Sequence, residues 1–390
     1  MNALSSTSKP IGLGVIGLGR AFCLTAPALH AHAGIRVVAA AEPHAAHRGA
    51  FSETFQAPAY TDISALLADP KVEAVYVSTP HGLHKEHALA AIAAGKHVLV
   101  EKPITVALED ATALIDAADA AGVQLVVGPS HSFDGPVALA CALIEAQVIG
   151  RVRMIHALYA TDFLYRPRTA AELDTDQGGG VVFSQAVHQI DLVRRLASSS
   201  ATQVTARTGG AWDPTRPTEG AYSMLVDFTS GAFASLTYSG YAHFDGDRLM
   251  DNISELGTLK DGQHKDARGG LRAVNDELAH KTSRGFTSLA ACPQAQTHEH
   301  FGQVMVFGEN GDLRLSPHGV EINQSEARRF QAAPFRTTRA EVFDTFYNAI
   351  RHGERALQDG RWGRASLEIC HALRVSAHQG TTISLQHQTN

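Results

Sequence analysis

Cysteine is scarce. There are four in 390 residues (Cys23, Cys141, Cys292 and Cys370), far apart and with no CxxC pair. That argues against a disulfide scaffold and fits a reducing compartment with buried or free thiols. Long apolar runs are missing as well: none approaches the roughly 20 residues of a membrane span. Met1–Pro10 is polar and holds no apolar signal core, so the expectation is a soluble, cytoplasmic protein with no membrane partner. Positive charge is not in excess. A formal net charge of -6 argues against nucleic acid or an anionic lipid surface as partner. Metal-ligand spacing is absent too. The 21 histidines are scattered, without zincin or zinc-finger spacing. His298-Glu299-His300 offers a pair of ligands without an identifiable third, so no metal is expected. What is present is ordinary globular composition, 44% hydrophobic and 18% charged, in a chain long enough for two domains with separate cores.

The first 128 residues alternate short apolar strands with helical stretches. Ile11–Ile16 reads as a strand and runs into Gly17-Leu18-Gly19-Arg20-Ala21-Phe22, which opens a helix to about Ala33. Strand, glycine turn, helix is the context that gives a glycine fingerprint meaning. Gly12-x-Gly14-x-x-Gly17 fits the pattern literally but puts the turn inside the strand, so the register starting at Gly17 is preferred. Gly17 makes the tight turn, and Gly19 lets backbone N–H groups approach a pyrophosphate at the helix N-terminus. Phe22 replaces the usual third small residue, which predicts wider or tilted helix–strand packing. A second strand, Ile35–Ala41, ends at Glu42, where an acid takes the adenosine ribose hydroxyls; this favours NAD over NADP. A helix at about 62–68 and a strand at 72–77 lead into Ser78-Thr79-Pro80-His81-Gly82-Leu83-His84. A helix at 84–94 is closed by Gly95. The strand 98–100 is stopped by Glu101-Lys102-Pro103, and a helix (108–121) and a strand (123–127) follow. The alternation implies a doubly wound parallel sheet, with Lys102 at the carboxyl end of a strand, where such sheets bind ligands.

These residues resemble the glucose–fructose oxidoreductase / inositol dehydrogenase / rhizopine-catabolism (Gfo/Idh/MocA) family. The resemblance rests on Gly17-Leu18-Gly19, Thr79-Pro80-His81-x-x-His84, Ala94-Gly95-Lys96-His97-Val98 and Glu101-Lys102-Pro103. It continues through Gly178-Gly179-Gly180, His188-x-x-Asp191 and Asp359-Gly360-Arg361, with a poor fit over about 244–300. It implies a Rossmann domain (1–128) that binds NAD through Gly17–Phe22, Glu42, Ser78, Thr79, Pro80, His81, His84, Glu101 and Lys102. In the family the lysine of Glu-Lys-Pro acts with an aspartate and a histidine from a D-x-x-x-H motif. Here that motif reads Ser184-Gln185-Ala186-Val187-His188, so the histidine is kept and the aspartate is not. Arg20-Ala21-Phe22, Thr161–Arg168, Gly180–Phe183 and Asp359–Gly363 are similar to the cis-dihydrodiol dehydrogenases of the family, above all the phthalate 4,5-cis-dihydrodiol type.

From Val152 the pattern changes to alternating strands (152–159, 203–207, 221–228, 231–238, 304–308) with helices at about 185–197, 339–351 and 364–378. This predicts an α+β domain over 129–390 with a large, mostly antiparallel open sheet, covered by helices on one face. The uncovered face predicts a homodimer or homotetramer. On helix 185–197, Asp191 lies one turn beyond His188 and is placed to orient its ring. Arg166 and Arg168 flank Pro167 and suit a bidentate clamp on a substrate carboxylate. His131, Ser184, Gln185 and His188 complete the candidate substrate contacts. The long polar stretch 244–300 is expected to be a flap or disordered.

The resemblance implies NAD-dependent oxidation of a carboxylated cis-dihydrodiol to a catechol, with Lys102 and His188 as the catalytic residues. Two alternatives stand beside it: a sugar, inositol or polyol dehydrogenase, and a non-catalytic NAD-binding regulator.

Overall fold

The structure is a computed structural model that describes residues 9–389. Residues 1–8, part of the polar terminal stretch, lie outside the described residues. The chain forms two compact units. One holds residues up to Pro129 together with Arg284–Pro293 and Arg339–Gly360. The other holds Ser130–Ser283, Gln294–Thr338 and the residues from Arg361 on. The division near residue 128 is therefore only the first of several crossings, and two later segments join the first unit. No helix among the described residues is long and apolar enough to cross a membrane.

The first unit runs β1 (Ile11–Ile16), α1 (Arg20–Ala31), β2 (Ile35–Ala41), α2 (Ala45–Phe55), β3 (Ala59–Tyr60), α3 (Ile63–Ala68), β4 (Ala74–Val77), α4 (His84–Ala93), β5 (His97–Val100), α5 (Leu108–Ala121) and β6 (Leu125–Val127). All pairings are parallel, in the order β3-β2-β1-β4-β5-β6. Ala74–Val77 and Val98–Val100 are wholly buried, as expected of strands covered on both faces. The order reverses between β1 and β4, and ligands of open α/β sheets bind beyond the carboxyl ends at such a point. Gly17, Glu42, Ser78 and Glu101 each follow directly on the carboxyl end of a strand.

The second unit begins with α6 (Gly135–Glu145) and β7 (Val152–Ala160). A π-helical turn, Val182–Ala186, then leads into α7 (Val187–Ala197). β8 (Ala201–Thr208), β9 (Ala221–Phe228) and β10 (Phe233–Ser239) follow. The 244–300 stretch is not structureless: it carries α8 (Ala267–Arg272) and α9 (Glu277–Thr282), capped by the side chains of Asp266 and Asp276. β11 (Gln303–Gly308), β12 (Asp312–Ser316), β13 (Gly319–Asn323) and β14 (Arg328–Ala332) close the run. The chain then returns to the first unit with α10 (Ala340–His352), before α11 (Gly360–Gln379) and β15 (Ile383–Ser384).

The nine-stranded sheet has the order β14-β13-β12-β11-β7-β10-β9-β8-β15 and is antiparallel apart from the β7–β10 pair. α6 and α7 pack against one face. Every second side chain is buried there, among them Ile155, Ala157, Tyr159, Leu236 and Tyr238. The alternate residues are a mixed apolar set. Met154, Leu158, Met305 and Phe307 are half-buried, while Leu225 is 45% and Phe233 39% exposed.

α10 is fixed to the first unit by its side chains. Tyr347 lies so close to Gly34 that a Cβ there would come within 2.5 Å of its ring. Arg351 grips the Glu73 carboxylate through both terminal nitrogens.

Candidate active site

In the first unit, β1 ends as the sequence reading places it, so Gly12 and Gly14 lie inside the strand and Gly17 makes the turn. Gly17 has φ +92°, a region open to glycine and costly for other residues. A Cβ there would press on Ser78 O and the Thr79 methyl at 3.0 Å. At Gly19 a Cβ would meet nothing within 4 Å, so space beside the N-terminus of α1 is open. That space and the free N–H groups of the first turn fit a pyrophosphate. Glu42 is only 5% exposed, and its carboxylate accepts from Leu18 N (2.8 Å) and His44 N (2.9 Å). It joins the end of β2 to the glycine turn and leaves lone pairs for a ribose. Ser78 Oγ donates to Gly17 O at 2.8 Å, so the β1 and β4 loops are tied together. Thr79, Pro80 and His81 remain half-buried or exposed beyond β4.

Phe22, the large residue in the fingerprint, is accommodated by other aromatic rings. It is fully buried in an aromatic cluster with Phe51, Phe55 and Phe286, at centroid distances of 6.1, 6.0 and 5.1 Å. Phe286 comes from the 244–300 stretch, and its N–H donates to Leu18 O at 2.9 Å. The large residue in the fingerprint is thus matched by a segment far away in sequence.

Two residues expected to bind cofactor are instead built into the unit. Glu101 is 7% exposed and accepts from Tyr76 OH at 2.7 Å. Burial pushes its carboxyl up, with Arg339 and Lys102 opposing. His84 is fully enclosed, with its ring nitrogens 2.8 Å from Pro103 O and 2.9 Å from Thr79 O. Burial lowers its pKa to about 4 despite those two acceptors. Both act through others: His84 joins the Thr79 loop to the Lys102–Pro103 turn, and Glu101 places negative charge beside Lys102. Lys102 itself is half-buried just beyond β5.

In the second unit, His131, Asp134 and His188 come together. His131 Nδ1 lies 2.7 Å from Asp134 Oδ2, and the His131 and His188 rings meet edge to face at 4.9 Å. Ser130 Oγ lies 3.4 Å from His188 Nδ1. Phe301 packs against both imidazoles (5.2 and 5.0 Å) and against Tyr159 and Tyr238 (5.2 and 5.9 Å), forming a buried aromatic cluster. Asp191 does not orient His188 as expected. Its carboxylate accepts from Ser132 N at 3.3 Å and from Trp362 Nε1, which pins the turn carrying Ser130 and His131. Gln185 is buried and accepts from Tyr238 OH at 3.1 Å, and Ser184 is half-buried at the π turn.

The histidines of His298-Glu299-His300 serve separate backbone carbonyls, Pro334 O and Ile253 O. Glu299 instead joins His131 and Asp134: one ligand-type atom from each lies within 4.8 Å of the others. Of the pairs in that trio, His131–Asp134 already forms a direct hydrogen bond.

The two arginines expected to clamp a carboxylate already have partners within the protein. Arg166 is gripped by Glu255 through both terminal nitrogens and by Asp162 through Nε (3.3 Å). Burial pushes the Glu255 carboxyl up, but Arg166, aided by His131 and His300, overrides this and holds it down at about 2. Arg168 stacks on Phe163 at 3.7 Å and donates to Phe163 O, while its backbone N–H bonds Glu277 of α9. Both guanidiniums are committed within their own unit. Arg166 also borders a cavity of about 250 Å³ with Asp162, Asp247, Lys260 and Arg268. The sequence reading missed Asp134, Glu255 and Phe301. Phe301 directly follows the His298–His300 stretch, and that adjacency was the available signal.

A doubly wound sheet with a fitted dinucleotide turn, joined in one chain to an open antiparallel sheet carrying a histidine–carboxylate cluster, defines an NAD-dependent oxidoreductase. Residues 11–129 match the oxidoreductase family with NAD-binding Rossmann fold, and residues 137–255 match the GFO/IDH/MocA C-terminal domain. The chain belongs to the Gfo/Idh/MocA family. It is 40% identical, over 93% of each chain, to the 1-carboxy-3-chloro-3,4-dihydroxycyclohexa-1,5-diene dehydrogenase of Comamonas testosteroni. It is 30% identical to the levoglucosan dehydrogenase of Pseudarthrobacter phenanthrenivorans, over 80% of this chain and 87% of that one. A crystal structure from Bordetella bronchiseptica RB50, assigned as a dehydrogenase, superposes with TM-score 0.92 at 36% identity, covering 96% of this chain and all of the other.

Proposed function

We propose that this dehydrogenase oxidises a carboxylated cyclic cis-dihydrodiol to the corresponding catechol. The observation that carries the reading is the His131–Asp134 hydrogen bond beside the His188 ring, an imidazole backed by a carboxylate next to a second imidazole. An imidazole backed by a carboxylate suits the hydroxyl proton of such a diol. The named substrate of the Comamonas testosteroni relative, a carboxylated dihydroxycyclohexadiene, is of this class.

Bound NAD would supply the hydride acceptor for the carbinol carbon. The rest of the work falls to the chain. Gly17–Arg20 and Glu42 would hold the dinucleotide. Lys102 takes the hydroxyl proton as the carbonyl forms, and the hydroxyketone product tautomerises to the catechol. In the second unit, His131 donates its Nδ1–H to Asp134, so the carboxylate fixes the tautomer and orientation of the imidazole. The Asp134–His131 pair thus returns to the second unit the carboxylate that Ser184 lacks, and Asp134 is a positioning residue. His188, partnered by Ser130, stands beside that pair.

The test is a panel of carboxylated cis-dihydrodiols, uncarboxylated cis-dihydrodiols, inositols and sugars with NAD, read by absorbance of the reduced cofactor. Carboxylated diols are expected to have the highest kcat/KM; preference for a sugar or inositol overturns the reading. Lys102→Ala is expected to lower kcat on the order of a thousandfold with NAD binding kept. Asp134→Asn is expected to lower kcat by about a hundredfold with KM nearly unchanged. Near-normal turnover in either variant removes that residue from the mechanism.

A further inference from the structure

Arg284–Pro293 leaves the second unit's stretch of chain and is built into the first. It lies at the dinucleotide turn. Phe286 N–H holds Leu18 O, and Gly285 is packed so closely on His47 that a Cβ there would come within 2.4 Å of the imidazole. His47 in turn lies 3.9 Å from Glu42, the residue placed for the ribose. At the far end of this segment the Cys292 sulfur lies 3.3 Å from the sulfur of Cys23, on the first turn of α1. The two cysteines are 269 positions apart in sequence and share a hydrogen bond. A disulfide bond is about 2.05 Å long, so the sulfurs need approach by little more than an ångström.

We propose that Cys23 and Cys292 form a reversible redox pair whose disulfide locks the Arg284–Pro293 segment onto the dinucleotide turn. This does not depend on the substrate reading; it concerns only how the cofactor enters and leaves. The oxidant class is a hydroperoxide. The Cys23 thiolate attacks hydrogen peroxide, the O–O bond breaks, and a sulfenic acid and hydroxide form. The Cys292 sulfur then displaces hydroxide from that sulfenic acid as the S–S bond forms. Two thiols give up two protons and two electrons, and one peroxide becomes two waters.

The surroundings favour Cys23 as the attacking sulfur. The hydrogen bond it shares with Cys292 lowers its pKa to about 7 against the opposing effect of burial, with Arg20 and Arg284 adding positive charge. The Cys292 thiol is raised by the same bond. Cys141 contrasts with this pair: burial pushes its thiol up to about 11. Cys23 and Cys292 are 1% and 3% exposed, but Cys292 directly follows a turn whose Ala290 and Ala291 are exposed. A small oxidant therefore has a short path once this turn opens. With the disulfide formed, Gly285 and Phe286 are held against His47 and Leu18, and the ribose corner neither opens to free cofactor nor releases bound cofactor readily.

The experiment treats the full-length protein with hydrogen peroxide, blocks remaining thiols, and maps cross-linked peptides under non-reducing conditions. NADH release is followed in parallel by stopped-flow fluorescence. A Cys23–Cys292 peptide is expected, with Cys141 and Cys370 recovered as blocked thiols. NADH release should slow by tenfold or more and recover on reduction with dithiothreitol. Cys292→Ser should give no cross-link, and its NADH release should not respond to peroxide. The proposal is overturned if peroxide leaves Cys23 and Cys292 unlinked in the wild type. It is equally overturned if the linked protein releases NADH at the reduced rate, or if Cys292→Ser slows as much as the wild type.

Discussion

His84 is enclosed without any exposed surface, and both of its ring nitrogens face carbonyl oxygens. A neutral imidazole carries one N–H, so one of the two carbonyls goes without a donor above the transition. With a folded pKa of about 4 against the ordinary value near 6.5, the unfolded chain takes up this proton first as the pH falls. Stability from His84 is therefore complete above about pH 6.5 and lost progressively toward pH 4, by about 3 kcal/mol in total. Thermal unfolding of wild type and His84→Gln between pH 7 and 4 should show the variant losing less stability over that interval. Parallel curves would remove the assignment. His84 also illustrates what the sequence could not disclose about single residues. Its motif marks it as near the cofactor, and it is near, but as a brace between two loops. Arg166 and Glu101 likewise carry partners that their motifs do not disclose. A motif gives the residue type at a strand end, whereas the partners that claim its side chain, Glu255 and Tyr76, lie 89 and 25 positions away.

Among elements, the strands of the first unit were legible because each is a short apolar run ended by glycine, proline or a polar turn. Others were not, for reasons their residues explain. α2 buries only His47 and Phe51, too few for a visible stripe. α6 is apolar nearly all round, so its helical period does not show. β14 is exposed at every position and carries no alternation. The 244–300 stretch was legible only as an irregularity. Its content appears when Phe286 is placed among Phe22, Phe51 and Phe55: the segment is anchored by a side chain whose complement sits in the fingerprint itself. Phe286→Ala opens a cavity in that cluster and should cost about 3–5 kcal/mol. Denaturant unfolding should show that loss, and the dissociation constant for NADH should rise, because the segment whose backbone N–H holds Leu18 O loses the side chain that anchors it. A variant with wild-type stability and unchanged NADH affinity would show that the segment is not held by this ring.

For the whole molecule, the open face of the nine-stranded sheet sets the expected assembly. Half-buried Met154, Leu158, Met305 and Phe307 lie on one surface with exposed Leu225 and Phe233. A surface of that composition is stabilised by covering, and a self-complementary pairing of two copies covers it on both. The protein is proposed to be a homodimer or homotetramer through this face. Light scattering on the eluting protein should report that state, and Leu225→Asp with Phe233→Asp should yield a smaller species with NADH binding kept. A wild-type monomer would refute the assembly, and an oligomer unaffected by both changes would place the interface elsewhere.

The first unit is assembled from three separate stretches of chain, the last ending at Gly360. Gly34 waits for Tyr347, Glu73 for Arg351 and Phe22 for Phe286. During synthesis the ribosome delivers the glycine turn early and its buttresses hundreds of residues later. The dinucleotide unit therefore cannot complete its core as an amino-terminal domain that folds first while the remainder is translated. It must stay partly open, or be held so, until nearly the whole polypeptide has emerged, and a fragment cut after Pro129 lacks two of the pieces it needs to close.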